Sequence, residues 1–187
     1  MATRPHPITD QVILDDLGPR VCIMGPSNSG KSTLATALGM SRALPIVHLD
    51  QLRHLPGTQW EVRPDDEFHA LHERAIATER WVIDGNYSQL LDARLDRATG
   101  LILLDASAPA SLVRYLRRTW GNGARLGGLD GVTDRANWEM ISFIAGPAQA
   151  SRRRYRELFE GLELPKVFLR NRHALERFYE RQGLQRP

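Results

Sequence analysis

A glycine-bounded loop is the part of this sequence whose residue types and spacing most directly specify chemistry. Residues 25–32 read GPSNSGKS, the pattern G-x-x-x-x-G-K-S of a phosphate-binding P-loop. The glycines at its ends allow backbone angles that let the loop N–H groups wrap around phosphate oxygens. Lys31 would supply positive charge to the β- and γ-phosphates, and Ser32 a hydroxyl ligand for Mg²⁺. The predicted nucleotide-binding residues are Gly25, Pro26, Ser27, Asn28, Ser29, Gly30, Lys31, Ser32 and Thr33.

The loop lies where a P-loop must lie, between a short apolar run and the start of a helical pattern. Such runs alternate with amphipathic stretches along the chain, which predicts parallel strands joined by right-handed crossovers. The predicted strands are Arg20–Met24, Ile46–Leu49, Trp81–Ile83, Gly100–Leu104 and Lys166–Leu169. The predicted helices cover residues 31–38, 64–80, 109–120, 134–162 (with 146–147 as a candidate break) and 174–182. The fold class is therefore α/β, a P-loop NTPase with a five-stranded parallel sheet flanked by helices and a ligand edge at the carboxyl ends of the strands.

Length and composition limit which architectures and which cellular compartments we expect for this protein. A chain of 187 residues with 42% hydrophobic and 25% charged residues fits one domain over residues 1–187, with core strands within 20–105 and 166–170. Cys22 is the one cysteine, which argues against a disulfide scaffold or a multi-cysteine zinc site. The sequence has no apolar run of membrane-spanning length and no apolar signal core near its start. We therefore expect a cytoplasmic protein without a membrane partner.

Five segments together resemble a known group of small kinases. They are GPSNSGKST at 25–33, HLDQL at 48–52, the stretch from Trp60 to Pro64, WVIDGNYS at 81–88, and RYLRRT at 114–119. With them the chain, over about residues 20–170, is similar to adenylate-kinase-like P-loop kinases and resembles most the branch called topology-modulation proteins. The resemblance implies a nucleoside-monophosphate-kinase-like fold with an acceptor-binding segment at about residues 50–80 and a helical or loop lid at about 119–135.

Two aspartates follow predicted strands at the ligand edge. In related small-molecule kinases a residue in the place of Asp50 orients the acceptor hydroxyl or helps to deprotonate it, which suits a carboxylate. The alternative for Asp50 is a helix N-cap or a solvated turn. Asp84 follows the apolar WVI run, where a Walker-B aspartate would hold Mg²⁺. The alternative for Asp84 is a turn-forming Asp-Gly pair.

The residues around these aspartates predict an acceptor site. In adenylate kinases the sequence IDG is followed by Phe-Pro-Arg, and that arginine grips the acceptor phosphate, whereas here Asn86 and Tyr87 follow Gly85. This departure weighs against a nucleoside monophosphate as the acceptor. Gly85 would let the backbone approach the ligand, and the next two residues could hydrogen-bond an uncharged acceptor. Further candidates on the acceptor-binding segment are Arg53, Trp60 and Arg63, of which the tryptophan could equally be packing between two elements.

Arginines near the predicted lid are candidates for stabilising the transferring phosphoryl group. Arg114 and Arg118 are four residues apart and share a helix face, matching the R-x-x-x-R pair that precedes the lid of adenylate kinases. Arg135 follows the glycine-rich stretch 121–131 and could add a second positive charge. The alternative is a solvated basic face. Asn171 and Arg172 follow the fifth predicted strand, where adenine often rests in this fold.

Together these residues predict an ATP- and Mg²⁺-dependent phosphotransferase that acts on a small-molecule acceptor. The alternative is an ATP-binding, nucleic-acid-associated or regulatory protein with weak ATPase activity. Its support is the charge balance, which is −4 over residues 1–109 and +7 over residues 110–187. The basic run 152–156 is more typical of a solvated helix face, so nucleic acid is not the expected partner. The sequence leaves the acceptor, the choice between ATP and GTP, and the oligomeric state open.

Overall fold

A parallel sheet with strand order β2-β3-β1-β4-β5 organises the molecule. The computed structural model of the chain describes residues 12–119 and 147–187. All four pairings between neighbouring strands of the sheet are parallel. The strands are β1 (Arg20–Met24), β2 (Ile46–His48), β3 (Trp81–Asp84), β4 (Gly100–Leu104) and β5 (Lys166–Leu169). Because the strands are parallel, their carboxyl ends meet at one edge of the sheet.

Helices cover both faces of the sheet. They are α1 (Lys31–Arg42), α2 (Leu49–Arg53), α3 (Asp65–Ala77), α4 (Leu91–Arg97), α5 (Ala108–Thr119), α6 (Pro147–Gly161) and α7 (Arg172–Arg181). Local sequence explains where several of them begin. Three acidic residues after Pro64 occupy the first turn of α3, where they oppose the positive end of the helix dipole. Asn171 caps α7, because its side chain accepts a hydrogen bond from the Ala174 N–H at 2.9 Å.

Two hydrophobic layers lie on the two faces of the sheet. Side chains alternate along β1, so Val21 and Ile23 join one layer while Cys22 and Met24 join the other. The first layer packs the sheet against α1 and α7, and the second includes residues of α2, α3, α4 and α6. β1 and β4 are buried along nearly their whole length because both faces are covered.

The predicted fold class is confirmed, and the element boundaries differ in detail. The predicted strand Ile46–Leu49 is wrong at its last residue, because Leu49 is the first residue of α2 and is fully buried. An apolar residue that continues a strand-like run can instead begin a helix, and periodicity alone does not distinguish the two. The helix after Pro64 ends at Ala77 rather than at residue 80. Helices α2 and α4 were not predicted.

Candidate functional site

The predicted P-loop connects β1 to α1 at the ligand edge. Gly25 and Gly30 have φ angles of +146° and +100°, which side chains rarely adopt. A Cβ atom added at Gly25 would lie 2.4 Å from the carbonyl oxygen of Leu104. The Lys31 ammonium donates a hydrogen bond to the Pro26 carbonyl at 2.9 Å, across the loop. The loop thus has glycine at two positions where its backbone conformation requires it.

The loop has the chemistry of a phosphate cradle. Its α1 helix begins at Lys31 and runs for 12 residues, so its positive dipole end faces the loop. The Ser29 hydroxyl is buried and has no hydrogen-bond partner within the described residues. A buried hydroxyl without a partner is costly, and phosphate oxygens would accept its hydrogen bond. The residues present therefore fit a nucleotide phosphate.

Ser32 and Asp84 are brought together at the foot of the loop. The Ser32 hydroxyl donates to Oδ2 of Asp84 at 2.7 Å. Asp84 ends β3 and is buried, and its Oδ1 contacts Nδ1 of His48 at the end of β2. Oxygen donors of this kind, a hydroxyl and a carboxylate, are those that Mg²⁺ prefers. The donor set fits Mg²⁺, and His48 is a member of this cluster to which the sequence had assigned no role.

Asn86 holds the phosphate loop. Its side-chain oxygen accepts from the Gly25 N–H at 3.2 Å, and its amide nitrogen donates to the Gly25 carbonyl at 2.9 Å. Both ends of the amide thus bind the P-loop backbone, whereas the sequence had suggested an acceptor contact. A Cβ added at Gly85 (φ +123°) would lie 2.8 Å from Cβ of Leu49, so this glycine makes room for the start of α2.

Asp50 and Tyr87 form a second pair at the same edge. The Tyr87 hydroxyl donates to Oδ1 of Asp50 at 2.8 Å. Asp50 lies in the first turn of α2, directly after β2, rather than at the end of the strand itself. Tyr87 has a φ of +34°, and its ring packs against Phe68 of α3 with a centroid distance of 5.1 Å. The predicted acceptor residues from two distant sequence segments thus meet after β2 and β3.

The other predicted acceptor residues bind within their own segment. Arg53 pairs with Asp65 at 2.5 Å. Arg63 donates to the Leu52 carbonyl at 2.9 Å and to Glu67 at 3.2 Å. The half-buried Trp60 ring meets His54 edge-on at 5.1 Å. These contacts stabilise the connection between α2 and α3, and both arginines already have carboxylate partners.

A cleft beside the P-loop brings together three of the remaining predicted residues, Arg114, Asn171 and Arg172. It is lined by Ser29, Leu104, Asp105, Ala106, Arg114, Leu169, Asn171, Arg172 and Leu175. The Arg114 guanidinium lies against Gly30, 2.8 Å from where a Cβ would be, and burial together with nearby arginines lowers its pKa. Arg172 also pairs with Glu176 at 2.6 Å. The side chain of Arg118, Arg135 and residues 120–135 of the predicted lid lie outside the described residues.

The order of the strands and the position of the P-loop at the carboxyl edge of the sheet define the fold. The chain has a P-loop α/β fold, a five-stranded parallel sheet flanked by helices. A solved structure of a protein from Chloroflexus aurantiacus, assigned as a kinase, matches it with a TM-score of 0.51 at 16% sequence identity. That match covers 89% of this chain and 99% of the other. At such identity the likeness shows the fold alone.

Two further solved structures match this chain at lower TM-scores. A gluconokinase from Sinorhizobium meliloti has a TM-score of 0.44 and 19% identity, covering 78% of this chain and 99% of its own. A sugar kinase from Janibacter sp. has a TM-score of 0.48 and 17% identity, covering 86% of this chain and 91% of its own. No protein-family model matches the sequence. No curated protein matches it either.

Besides His48, two further residues at the site were missed by the sequence reasoning. Asp105 directly follows β4, as Asp84 ends β3, and is buried where it pairs with Arg152 at 2.6 Å and with Arg156. Its position after an apolar run was the signal that could have found it. Arg94 on α4 is fully buried, and nothing in an arginine-rich sequence distinguishes it from exposed arginines.

The basic run on α6 is largely engaged within the molecule. Arg152 and Arg156 bind the buried Asp105, and Arg153 pairs with Glu157 at 2.8 Å. These contacts account for much of the local positive charge.

None of the described helices combines the length and apolar character needed to cross a membrane.

Proposed function

We propose that this protein transfers the γ-phosphate of ATP to a hydroxyl group of a small molecule in a Mg²⁺-dependent reaction. The observation that carries the proposal is the hydrogen bond between Ser32 and Asp84, at 2.7 Å. It lies at the foot of a loop whose backbone angles require glycine at two positions. A hydroxyl and a buried carboxylate beside a helix N-terminus suit a metal-bound nucleoside triphosphate.

Each residue group has a role in this proposal. Lys31, Arg114, Arg118 and Arg135 would neutralise charge on the transferring phosphoryl group, and Ser32 with Asp84 would hold Mg²⁺. When bound, the metal ion neutralises charge on the β- and γ-phosphate oxygens. Ser29, Asn171 and Arg172, which line one cleft, would contact the nucleotide.

Asp50 has the chemistry of a proton acceptor. As the acceptor oxygen bonds to the γ-phosphorus, the bond from that phosphorus to the β–γ bridging oxygen breaks and ADP leaves. The hydroxyl proton goes to the Asp50 carboxylate. The Tyr87 hydroxyl, 2.8 Å from Oδ1 of Asp50, orients that carboxylate.

The resemblance to adenylate-kinase-like kinases and their topology-modulation branch extends the proposal to the acceptor side. We propose that the segment at residues 50–80, with Arg53, Trp60, Arg63 and the 85–87 turn, surrounds the acceptor, and that residues 119–135 close over it. A cytoplasmic location agrees with the single, buried and free Cys22.

ADP release from MgATP, measured by a coupled assay, tests the proposal against separate nucleosides, nucleotides, sugars, sugar acids and amino alcohols. One acceptor class should stimulate release, and Lys31→Ala should abolish the stimulation. Lys166→Ala is the matched control, since Lys166 binds backbone carbonyls at the opposite end of the sheet and should leave stimulation intact. Release that no acceptor stimulates, together with salt-sensitive DNA binding, would instead favour the nucleic-acid-associated alternative.

A further inference from the structure

A fully buried arginine lies directly beneath the site. Arg94 on α4 has no exposed surface. Its Nη2 donates to two consecutive backbone carbonyls, those of Gly85 at 3.2 Å and Asn86 at 2.7 Å. Burying a guanidinium is costly, and the two hydrogen bonds from Nη2 offset part of that cost. This arginine is therefore committed to the turn that follows β3.

That turn continues to the phosphate loop. The Asn86 backbone is held by Arg94, and the Asn86 side chain binds both the N–H and the carbonyl of Gly25. A short chain of hydrogen bonds thus runs from the guanidinium through one asparagine to the first glycine of the P-loop. A Cβ added at Gly25 would collide with the Leu104 carbonyl, so the Gly25 backbone is packed closely against β4.

The surroundings of Arg94 suit a fixed cation. His72, also fully buried, lies with Nε2 3.4 Å from Nη1 of Arg94. Burial and the neighbouring arginine lower the pKa of His72 to about 4, so the imidazole is neutral at pH 7 and does not repel the guanidinium. Burial lowers the pKa of Arg94, while Cys22, Tyr155 and the Asp84 carboxylate oppose that shift.

We propose that Arg94 is a positioning residue for nucleotide binding, which fixes the phosphate loop through the Asn86 bridge to Gly25. Arg94 touches neither nucleotide nor acceptor. It holds the backbone of residues 85–86, so that the Asn86 amide meets Gly25 at the correct place. The proposal rests on the proposed function only in that the loop binds a nucleotide phosphate.

A double-mutant cycle on MgADP affinity, measured by calorimetry, tests this inference. Arg94→Lys keeps the charge but loses the paired donation, and Asn86→Ala removes the bridge. Each should weaken MgADP binding about tenfold, which is the effect of losing one hydrogen bond to a charged group in Arg94→Lys, or two neutral hydrogen bonds in Asn86→Ala. If one chain of bonds carries the effect, the double variant should bind within about threefold of Asn86→Ala alone.

Arg42→Lys is the matched control. Arg42 also donates to two backbone carbonyls, Leu14 at 2.9 Å and Gly18 at 2.8 Å, but at the opposite end of the sheet. It should lower the melting temperature and leave MgADP affinity unchanged, which separates positioning from general stability.

Independent, multiplying losses in the double variant would overturn the inference, as would an Arg94→Lys protein with normal affinity. If Arg94→Lys does not fold, Asn86→Ala decides alone, and unchanged MgADP affinity in that variant contradicts the proposal. A wild-type protein that fails to bind MgADP at all would instead contradict the proposed function.

Discussion

Asp84, the proposed metal ligand, contacts both the P-loop and β2. Its buried carboxylate accepts a hydrogen bond from Ser32 on one oxygen and contacts His48 with the other. An asparagine would have nearly the same shape and could still accept from Ser32, but it would lack the negative charge. The metal preference of the site should therefore depend on this one charge.

Asp84→Asn should reduce, by roughly tenfold or more, the gain in ADP affinity that Mg²⁺ provides. Affinity for ADP without metal should change little. Calorimetric titrations with and without MgCl₂ measure both quantities. Asp66→Asn, an exposed acidic change on α3, is the control and should leave the gain intact. An undiminished gain in Asp84→Asn would show that Asp84 does not serve the metal.

His72 predicts a pH dependence of stability. Its pKa is about 4 in the folded protein, whereas an unperturbed histidine side chain has a pKa of 6.5. Between these values the unfolded chain binds a proton that the folded protein does not, so stability rises with pH across this window. As the pH falls from 6.5 to 4, the protein should lose up to about 3 kcal/mol of unfolding free energy from this group.

Urea unfolding across that pH range measures the effect, with His72→Gln as the control. The variant should show a shallower loss of stability on acidification, because its side chain does not titrate. Equal losses in the variant and the wild type would mean that buried His72 does not remain neutral in the folded protein.

At the scale of elements, one buried carboxylate anchors α6 to the sheet. Asp105, after β4, binds Arg152 and Arg156, which are one helical turn apart. The two arginines approach it from the same face of α6. The position of α6 against the sheet therefore depends on Asp105 as well as on apolar packing by Tyr155.

Asp105→Asn should destabilise the protein by about 2 kcal/mol. This is below the value for a fully buried pair, because the Arg156 side chain is 48% exposed. Thermal unfolding by circular dichroism measures the change. Glu157→Gln breaks an exposed pair with Arg153 on the same helix and should have little effect. Equal shifts in both variants would assign the stability of α6 to packing alone.

The elements also show what periodicity can and cannot specify. The apolar run before the P-loop predicted β1 with correct ends, since both faces of that strand are buried. The apolar run at 46–49 correctly predicted a strand, but its last residue, Leu49, is the first residue of α2. An apolar residue such as Leu49 can be buried equally well in a strand or in a helix, so the pattern does not show where the strand ends. α4 was missed because it is short, with only 7 residues to display a helical pattern.

At the scale of the whole molecule, parallel topology explains how the sequence could predict which residues lie near one another at the candidate site. Residues that follow strands must meet at one edge, which is how Asp50 and Tyr87 come together although 37 positions separate them. What could not be predicted is which polar groups bind each other. Arg53 and Arg63 bind partners within their own segment, and Asn86 binds Gly25. These contacts could not be predicted, because they depend on side-chain positions that the local sequence does not specify.

Phosphorus-31 NMR of the protein with MgATP and the stimulating acceptor tests most directly whether the γ-phosphate is transferred. We expect a phosphate-ester resonance to grow in equal amount with ADP, and to be absent when Lys31→Ala replaces the wild-type protein. ADP that accumulates with inorganic phosphate, and without an ester for any acceptor tested, would contradict phosphotransfer and identify the protein as an ATP hydrolase.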